Sequence, residues 1–323
     1  MQTGLRLFSL LCLGMLLSSP AEASLRDLLS GEGFTEAEVV RAAHTNAAFI
    51  KVEINGHPLT LCIDTGSPMT ILTREAALRA NVPTNRLFGP ISGINGLADP
   101  KAAIASLRSF KIAGSELASE PILISDAPFP LKMSPVKFDG LLGWKTMKKN
   151  RVIFGYAPAL FFFRPDGKSA RRLDAACRAE QFLSVKLRPY REGYYLPLTL
   201  DGQAARMLLD SGAAFTLVSD DFARLHLDAG KTVGTGRSLG IDGNPVLQQR
   251  VTPKTMELGS RAFAPITITS GAAKLFENKP DADGRRGKQI DGLLGYDLVG
   301  RFYSLLDMGN DRLYLHPRPE KEE

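Results

Sequence analysis

The sequence predicts an all-β chain of two equivalent lobes, and three observations carry that expectation. An Asp-(Thr/Ser)-Gly turn ends an apolar strand twice, at Asp64-Thr65-Gly66 and again at Asp210-Ser211-Gly212, 146 residues further on. Each is preceded by two extended runs joined at Asn55-Gly56 or Asp201-Gly202, and such dipeptides between alternating apolar runs are strong hairpin signals. An Asp-Gly-Leu-Leu-Gly segment also recurs, at Asp139 to Gly143 and at Asp291 to Gly295. Two repeats of about 120 residues fill most of the chain.

Arg6 precedes an apolar run from Leu7 to Leu17, and Ala21-Glu22-Ala23 supplies a small-x-small pattern before Ser24. Residues 1–23 therefore read as a secretory signal peptide cleaved after Ala23. The run is shorter than the roughly 20 apolar residues of a membrane span; an uncleaved anchor is the alternative reading. No later stretch is long and apolar enough to span a bilayer, so no membrane span is expected in the mature chain. Export to a periplasmic or extracellular space is expected. The bacterial periplasm is favoured, because no Asn-x-Ser/Thr acceptor occurs.

Residues 24–45 form an N-terminal segment with a helical pattern. Thr35, with Glu38 three residues on, has capping-box spacing and predicts a helix from Glu36 to Ala43. The segment is either a cover on the main fold or a removable pro-segment. The first lobe follows over residues 46–165. Phe49 to Ile54 and Leu59 to Ile63 are extended, Asp64-Thr65-Gly66 turns, Thr70 to Leu72 is extended, and Glu75 to Ala80 is a short helix. Val152 to Phe163 closes the lobe as a hairpin whose Phe161-Phe162-Phe163 reads as a buried strand. Residues 166–185 are polar and basic and read as a linker with a short helix. The second lobe, 186–323, repeats the order: Leu196 to Leu200, Arg206 to Leu209, the turn at Asp210, and the closing hairpin Ser304 to Leu315. The extra residues of this copy fall in the charged loop Ser270 to Gln289, and Pro317 to Glu323 is a solvated tail.

Composition excludes several functions. Apolar content of 44% with 23% charge is that of a globular protein with a real core. The net charge of +6 is scattered, and the pairs Lys148-Lys149, Arg171-Arg172 and Arg285-Arg286 lack interleaved aromatics. Nucleic acid is not an expected partner. His44, His57, His226 and His316 have no ligand spacing, so no metal and no cofactor is expected. Gly234-Thr235-Gly236 is not placed between a strand and a helix and is set aside as a nucleotide loop. Cys12 leaves with the signal. One disulfide between Cys62 and Cys177 is open to an exported chain, but Cys62 lies within the strand leading to Asp64, where packing as a small hydrophobe is the simpler fate.

The repeated acid gives the chemistry. Asp is disfavoured in strands and costly to bury unpaired. Two carboxyls held close cannot both ionise, so the pair shares a proton and offers a base and an acid together. That combination can activate water and protonate a leaving group without a nucleophilic side chain or a metal.

With both Asp-(Thr/Ser)-Gly turns and both Leu-Leu-Gly segments in order, residues 48 to 316 resemble the pepsin and retropepsin superfamily of aspartic peptidases. Asp64-Thr65-Gly66-Ser67 and Phe138 to Gly143 resemble the first lobe of a pepsin-like enzyme; Asp210-Ser211-Gly212-Ala213 is nearer the retropepsin form. The whole is similar to bacterial-type secreted retropepsin-like proteins with both lobes in one chain. The resemblance implies a bilobal acid-protease fold of two pseudo-twofold-related β-barrel-like lobes, with Asp64 and Asp210 as the catalytic dyad. It implies that Thr65 and Ser211 hydrogen-bond across the axis, that Gly66 and Gly212 let backbone N–H groups approach the carboxylates, and that the Leu-Leu-Gly strands support the acids. A peptide or protein substrate would bind as an extended strand, and a monomer is expected because both lobes are present. A non-catalytic peptide-binding module and a dedicated processing protease for one partner protein are the alternatives.

Two departures shape further expectations. Pepsin-like enzymes carry a flap Tyr in the first lobe, whereas no Tyr precedes Tyr156 here. The flap candidates are Gly93-Ile94-Asn95-Gly96 and Gly240-Ile241-Asp242-Gly243, one per lobe, with a plain structural turn as the alternative for each. Ser67 follows the first motif but Ala213 the second. A Ser67 hydroxyl bond to Asp64 would lower its pKa, leaving Asp64 charged and Asp210 with the shared proton. Trp144 and Tyr296, after the Leu-Leu-Gly segments, are expected to pack against the core.

Overall fold

A computed structural model of the chain describes residues 20–42, 47–84, 86–129, 136–190, 193–227, 235–277 and 289–317. The two lobes are built on two ten-stranded sheets with the same strand order. In the first, Leu87–Gly93, Gly96–Ala105, Ile122–Ser125, Ile71–Thr73, Gly140–Gly143, His57–Asp64, Ala48–Ile54, Phe110–Ile112 and Ser115–Glu116 lie side by side. In the second the order is Thr235–Leu239, Pro245–Val251, Ile268–Gly271, Leu217–Ser219, Gly292–Leu294, Gln203–Leu209, Gly193–Leu200, Met256–Leu258 and Arg261–Phe263. Each carries one more short strand off this path, Val39–Arg41 or Arg188–Tyr190. Among the described residues the two end strands of each sheet are not paired, so the β-barrel-like lobes expected from sequence are open sheets and not closed barrels.

The hairpin turns take the form their sequences dictate. Asn55 and Asp201 sit at φ 52° and 49°, and Gly56 and Gly202 follow at 84° and 77°. Positive φ at both central residues is the hairpin turn that matches strand twist. Both turn carboxyl or amide oxygens are then reused. Asn55 Oδ1 accepts from Arg108 N and Ser109 N, and Asp201 Oδ1 accepts from Lys254 N and Thr255 N.

The closing hairpins join the lobes. Ile153–Ala157 pairs antiparallel with Phe302–Asp307, and around that seam a six-stranded sheet runs Thr35–Ala37, Leu160–Phe163, Ile153–Ala157, Phe302–Asp307, Arg312–Pro317 and Leu183–Lys186. Phe161, Phe162 and Phe163 are wholly buried in it. The segment 166–185 is therefore more than a linker: it holds the helix Leu173–Ala179 and contributes the edge strand Leu183–Lys186.

The N-terminal segment departs from its local pattern. Helix occupies Pro20–Gly31, while the stretch expected to be capped by Thr35 is two strands, Thr35–Ala37 and Val39–Arg41. Thr35–Ala37 pairs with Phe161–Phe163, and Val39–Arg41 pairs with Ala48–Ile50. Two open sheet edges were available, and pairing them outweighs a capping box that stabilises a helix only locally. Residues 1–19 of the expected signal peptide lie outside the described residues. The helix crosses the expected cleavage point after Ala23, and Leu25, Leu28 and Leu29 beyond it pack with Phe34, Ile153, Phe162 and Leu173. Cys62 and Cys177 are both free and buried, in separate apolar clusters.

Candidate active site

Each lobe threads its acid in the same way. Gly140–Gly143 runs parallel to His57–Asp64, with Gly143 beside Asp64, and antiparallel to Ile71–Thr73. Gly292–Leu294 does the same between Gln203–Leu209 and Leu217–Ser219. The crossing is tight enough to exclude a side chain. A Cβ on Gly140 would stand 2.0 Å from Ile71 O, and one on Gly143 2.3 Å from Met69 C. In the second lobe the corresponding clashes are 2.4 Å for Gly292 and 2.5 Å for Gly295. The Asp that opens each segment fastens it: Asp139 Oδ2 accepts from Thr60 N at 2.9 Å, and Asp291 Oδ2 from Arg206 N at 2.8 Å.

The two dyad loops meet at the lobe seam through a crossed set of hydrogen bonds. Thr65 Oγ1 donates to Leu209 O at 2.9 Å and accepts from Ser211 N at 2.9 Å. Ser211 Oγ donates to Ile63 O at 2.7 Å and accepts from Thr65 N at 2.9 Å. Each hydroxyl thus bonds the backbone of the opposite lobe, and all four bonds are buried. Removing one hydroxyl strands a buried N–H and a buried carbonyl. Ser211→Ala is expected to lower stability by about 2 kcal/mol or more, read as a shift in the urea midpoint. A loss under about 0.5 kcal/mol would mean the grip contributes no more than an exposed contact.

Above the grip, Asp64 Oδ1 accepts from Gly66 N at 2.8 Å and Ser67 N at 3.1 Å. Asp210 Oδ1 accepts from Gly212 N at 2.9 Å and Ala213 N at 3.1 Å. The two carboxyls interact directly, the charge of Asp210 bearing on Asp64. Glycine is required by the closeness of the loops, since a Cβ on Gly66 would lie 2.7 Å from Asp210 Cγ and one on Gly212 3.1 Å from Asp64 Cγ. Burial drives Asp64 up to about 8, the Asp210 charge adding to it and the two N–H bonds opposing it. Asp210 is also raised by burial, but the N–H bonds from Gly212 and Ala213 hold it back. Both carboxyls are pushed up by burial, so the pair holds one shared proton.

The hydroxyl bond expected from Ser67 to Asp64 is not formed. The Ser67 hydroxyl donates to Met69 O at 2.8 Å and has no second hydrogen to give Asp64. The backbone N–H groups treat the two acids alike, so they do not set one apart from the other. Beneath them Cys62 is raised well above the ordinary thiol value by burial and then by the two acids, which keeps it neutral. Among the described residues no group of His, Cys, Asp and Glu is arranged to hold a metal ion.

The flap candidates are the tips of the hairpins Leu87–Gly93/Gly96–Ala105 and Thr235–Leu239/Pro245–Val251, and they meet each other. Asp242, 6% exposed, accepts from Asn95 N at 2.6 Å and from Asn244 N at 2.9 Å. Asn95 Nδ2 donates to Pro245 O at 2.9 Å, and Leu275 N donates to Ile94 O at 3.0 Å. The tips are also exchanged: Ile94 packs with Leu208, Val246 and Phe276 of the second lobe, and Ile241 with Phe129 and Phe138 of the first. Gly93 and Gly240 have no room for a Cβ, at 2.5 Å from Asp242 Oδ2 and 2.6 Å from Ile94 Cγ2. Gly243 closes the second tip at φ 66°. Asp242→Ala is expected to speed hydrogen exchange at the Asn95 amide by about 10- to 100-fold, the worth of a charge-assisted bond. Unchanged exchange there would show that the other contacts between the tips suffice to hold them.

Sequence reading placed the acids, the grip and the flap tips, but not the Asn95–Asp242 bond between tips. Nor did it find Asp139 and Asp291 as strand fasteners, although their doubled Asp-Gly-Leu-Leu-Gly context was the available signal.

A family model described as aspartyl protease matches residues 50–146 and 196–298, one copy per lobe. An aspartic proteinase from Irpex lacteus is a similar solved structure, with 12% identity and a TM-score of 0.47 over 90% of this chain and 98% of that one. No curated protein matches the chain by sequence.

Proposed function

Because the chain belongs to the aspartyl protease family, we propose that it is an exported endopeptidase whose Asp64/Asp210 dyad activates water against a peptide bond. The observation that carries this reading is the pair of buried carboxyls, both raised by burial, locked at the lobe seam by four crossed bonds. One carboxylate of the pair removes a proton from water as its oxygen adds to the substrate carbonyl carbon, while the proton held by the other passes to the carbonyl oxygen. The tetrahedral adduct then collapses: the first carboxyl returns its proton to the amide nitrogen, the second takes one from the adduct hydroxyl, and the C–N bond breaks. Both carboxyls end as they began.

The interlocked tips bound the substrate. An extended peptide added as a strand beneath the hairpins suits this geometry, and the tips have to part for its entry. Export rests on the signal-like residues 1–23, and one chain supplies both halves of the site, so the working unit is a monomer. The test is to incubate the purified mature chain with denatured casein and a peptide library between about pH 3 and pH 8, mapping new termini by mass spectrometry. Internal cleavage supports the reading, and absence of cleavage at every pH overturns it.

A further inference from the structure

Trp144 and Tyr296 hold equivalent places, each the first residue after a Leu-Leu-Gly strand, and both pack against the core. Each also ties its backbone to the dyad loop of its own lobe. Trp144 N donates to Ser67 O at 3.0 Å and Tyr296 N to Ala213 O at 2.9 Å. Their rings, however, are met by side chains from the opposite lobe. Tyr194, on the second-lobe strand Gly193–Leu200, stands edge-on to Trp144 with centroids 5.1 Å apart at 77°. Arg41, on the first-lobe strand Val39–Arg41, lies 4.7 Å over the Tyr296 ring.

Both side chains are anchored in the sheet that joins the lobes. The Tyr194 hydroxyl lies beside Asp311, which also pairs with Lys148, and the Lys148 ammonium lies 5.7 Å from the Tyr194 ring. Asp311 sits in the turn between the strands Phe302–Asp307 and Arg312–Pro317. The Arg41 guanidinium donates to Gly155 O at 3.4 Å and to Tyr156 O, on the strand Ile153–Ala157. Two different residues solve one problem. Ala48 is the position equivalent to Tyr194 in the first lobe, and Arg41 is its partner across the strand pair. A small Ala48 leaves the ground that Arg41 covers from the neighbouring strand, whereas in the second lobe Tyr194 covers it directly.

We propose that Arg41 and Tyr194 are a crossed pair of positioning residues, each holding the dyad loop of the other lobe through Tyr296 or Trp144. The inference rests on the reading of Asp64 and Asp210 as the catalytic pair. Two acids from separate lobes work only while the lobes keep their register, and a small displacement at a reacting group is costly to rate. The grip fixes the loops from within the seam; the braces fix their outer flanks. The braces also make residues 24–42 a retained part of the working protein, because Arg41 is delivered by that segment.

The test uses Arg41→Leu, Tyr194→Leu and Tyr194→Phe in the full mature chain, with kcat, KM and amide hydrogen exchange as readouts. Each Leu variant is expected to lower kcat about 10-fold with KM within about twofold. Exchange should quicken at the Tyr296 amide for Arg41→Leu and at the Trp144 amide for Tyr194→Leu, not the reverse. Tyr194→Phe, which keeps the ring, should stay within about twofold of the parent in kcat. Arg41→Lys keeps the charge and loses the planar face, and it should fall between parent and Arg41→Leu. Unchanged kcat in both folded Leu variants, or exchange changes confined to their own strands, would overturn the proposal. If Tyr194→Leu does not fold, Arg41→Leu and Arg41→Lys decide it alone. If the parent cleaves no peptide, the functional reading fails, and the exchange pattern still decides whether the braces hold the loops.

Discussion

Asp64→Asn and Asp210→Asn are each expected to lower peptide cleavage by about a thousandfold or more, within the range that general acid–base groups contribute. The effects should be of similar size. Either substitution leaves a single carboxyl, which cannot act together as base toward water and acid toward the carbonyl oxygen. The double variant should fall little further, because the acids act as one unit. Either single variant retaining more than about a tenth of parental kcat would remove that acid from the chemistry.

The same pair sets a pH signature in stability. An ordinary Asp has a pKa of 3.8, whereas Asp64 in the folded chain holds its proton up to about 8. Between those values the folded chain keeps a proton that the unfolded chain has released. The stability linked to it is therefore whole below about pH 4 and is lost as the pH climbs towards about 8. Asp64→Asn cannot lose that proton, so its melting temperature should fall less steeply than the parent's across that window. Parallel curves for parent and variant would mean that Asp64 does not hold its proton above the ordinary range in the folded chain. Activity should fade over the upper part of the same window, as the shared proton leaves.

Gly140→Ala should be the most damaging single methyl in the first lobe. Its Cβ would stand 2.0 Å from Ile71 O, a backbone atom fixed in the antiparallel ladder of Gly140–Gly143 with Ile71–Thr73. Nothing there can rotate away, so the strand crossing itself has to open. A loss of about 3 kcal/mol or more is expected, at the upper end of overpacking effects, and thermal or urea unfolding would measure it. Gly236→Ala is the matched control: it lies in a strand with nothing within 4 Å of the added carbon. It should change stability by less than about 0.5 kcal/mol or raise it slightly. Equal effects for the two substitutions would refute the threading argument.

Much of this protein was legible in its residues because its repeat is written in local chemistry. Asn-Gly and Asp-Gly specify hairpin turns through backbone φ, and Asp-(Thr/Ser)-Gly and Asp-Gly-Leu-Leu-Gly mark positions where only a short side chain or none fits. A duplicated pattern then implies a duplicated lobe, and two acids at equivalent points imply a pair. The errors arose where the deciding contact lies far away in sequence. Thr35 to Arg41 carries a helix start, yet two open sheet edges claim it as strand. Ser67 is one residue from the dyad turn, yet its single hydroxyl hydrogen goes to Met69 O.

By itself, the sequence determined the two all-β lobes, the acids at Asp64 and Asp210, and the Thr65 and Ser211 hydroxyls beside them, since these follow from residue type and spacing. Only the tertiary structure decided that the sheets stay open, that the two acids are buried together, and that the hairpin tips exchange Ile94 and Ile241. It alone placed Arg41 and Tyr194 against the opposite lobe. The physical reason is common to all of these. Each depends on a distance between groups that the chain order separates by dozens to hundreds of residues, and burial, hydrogen bonding and ring contact fall off within a few ångströms.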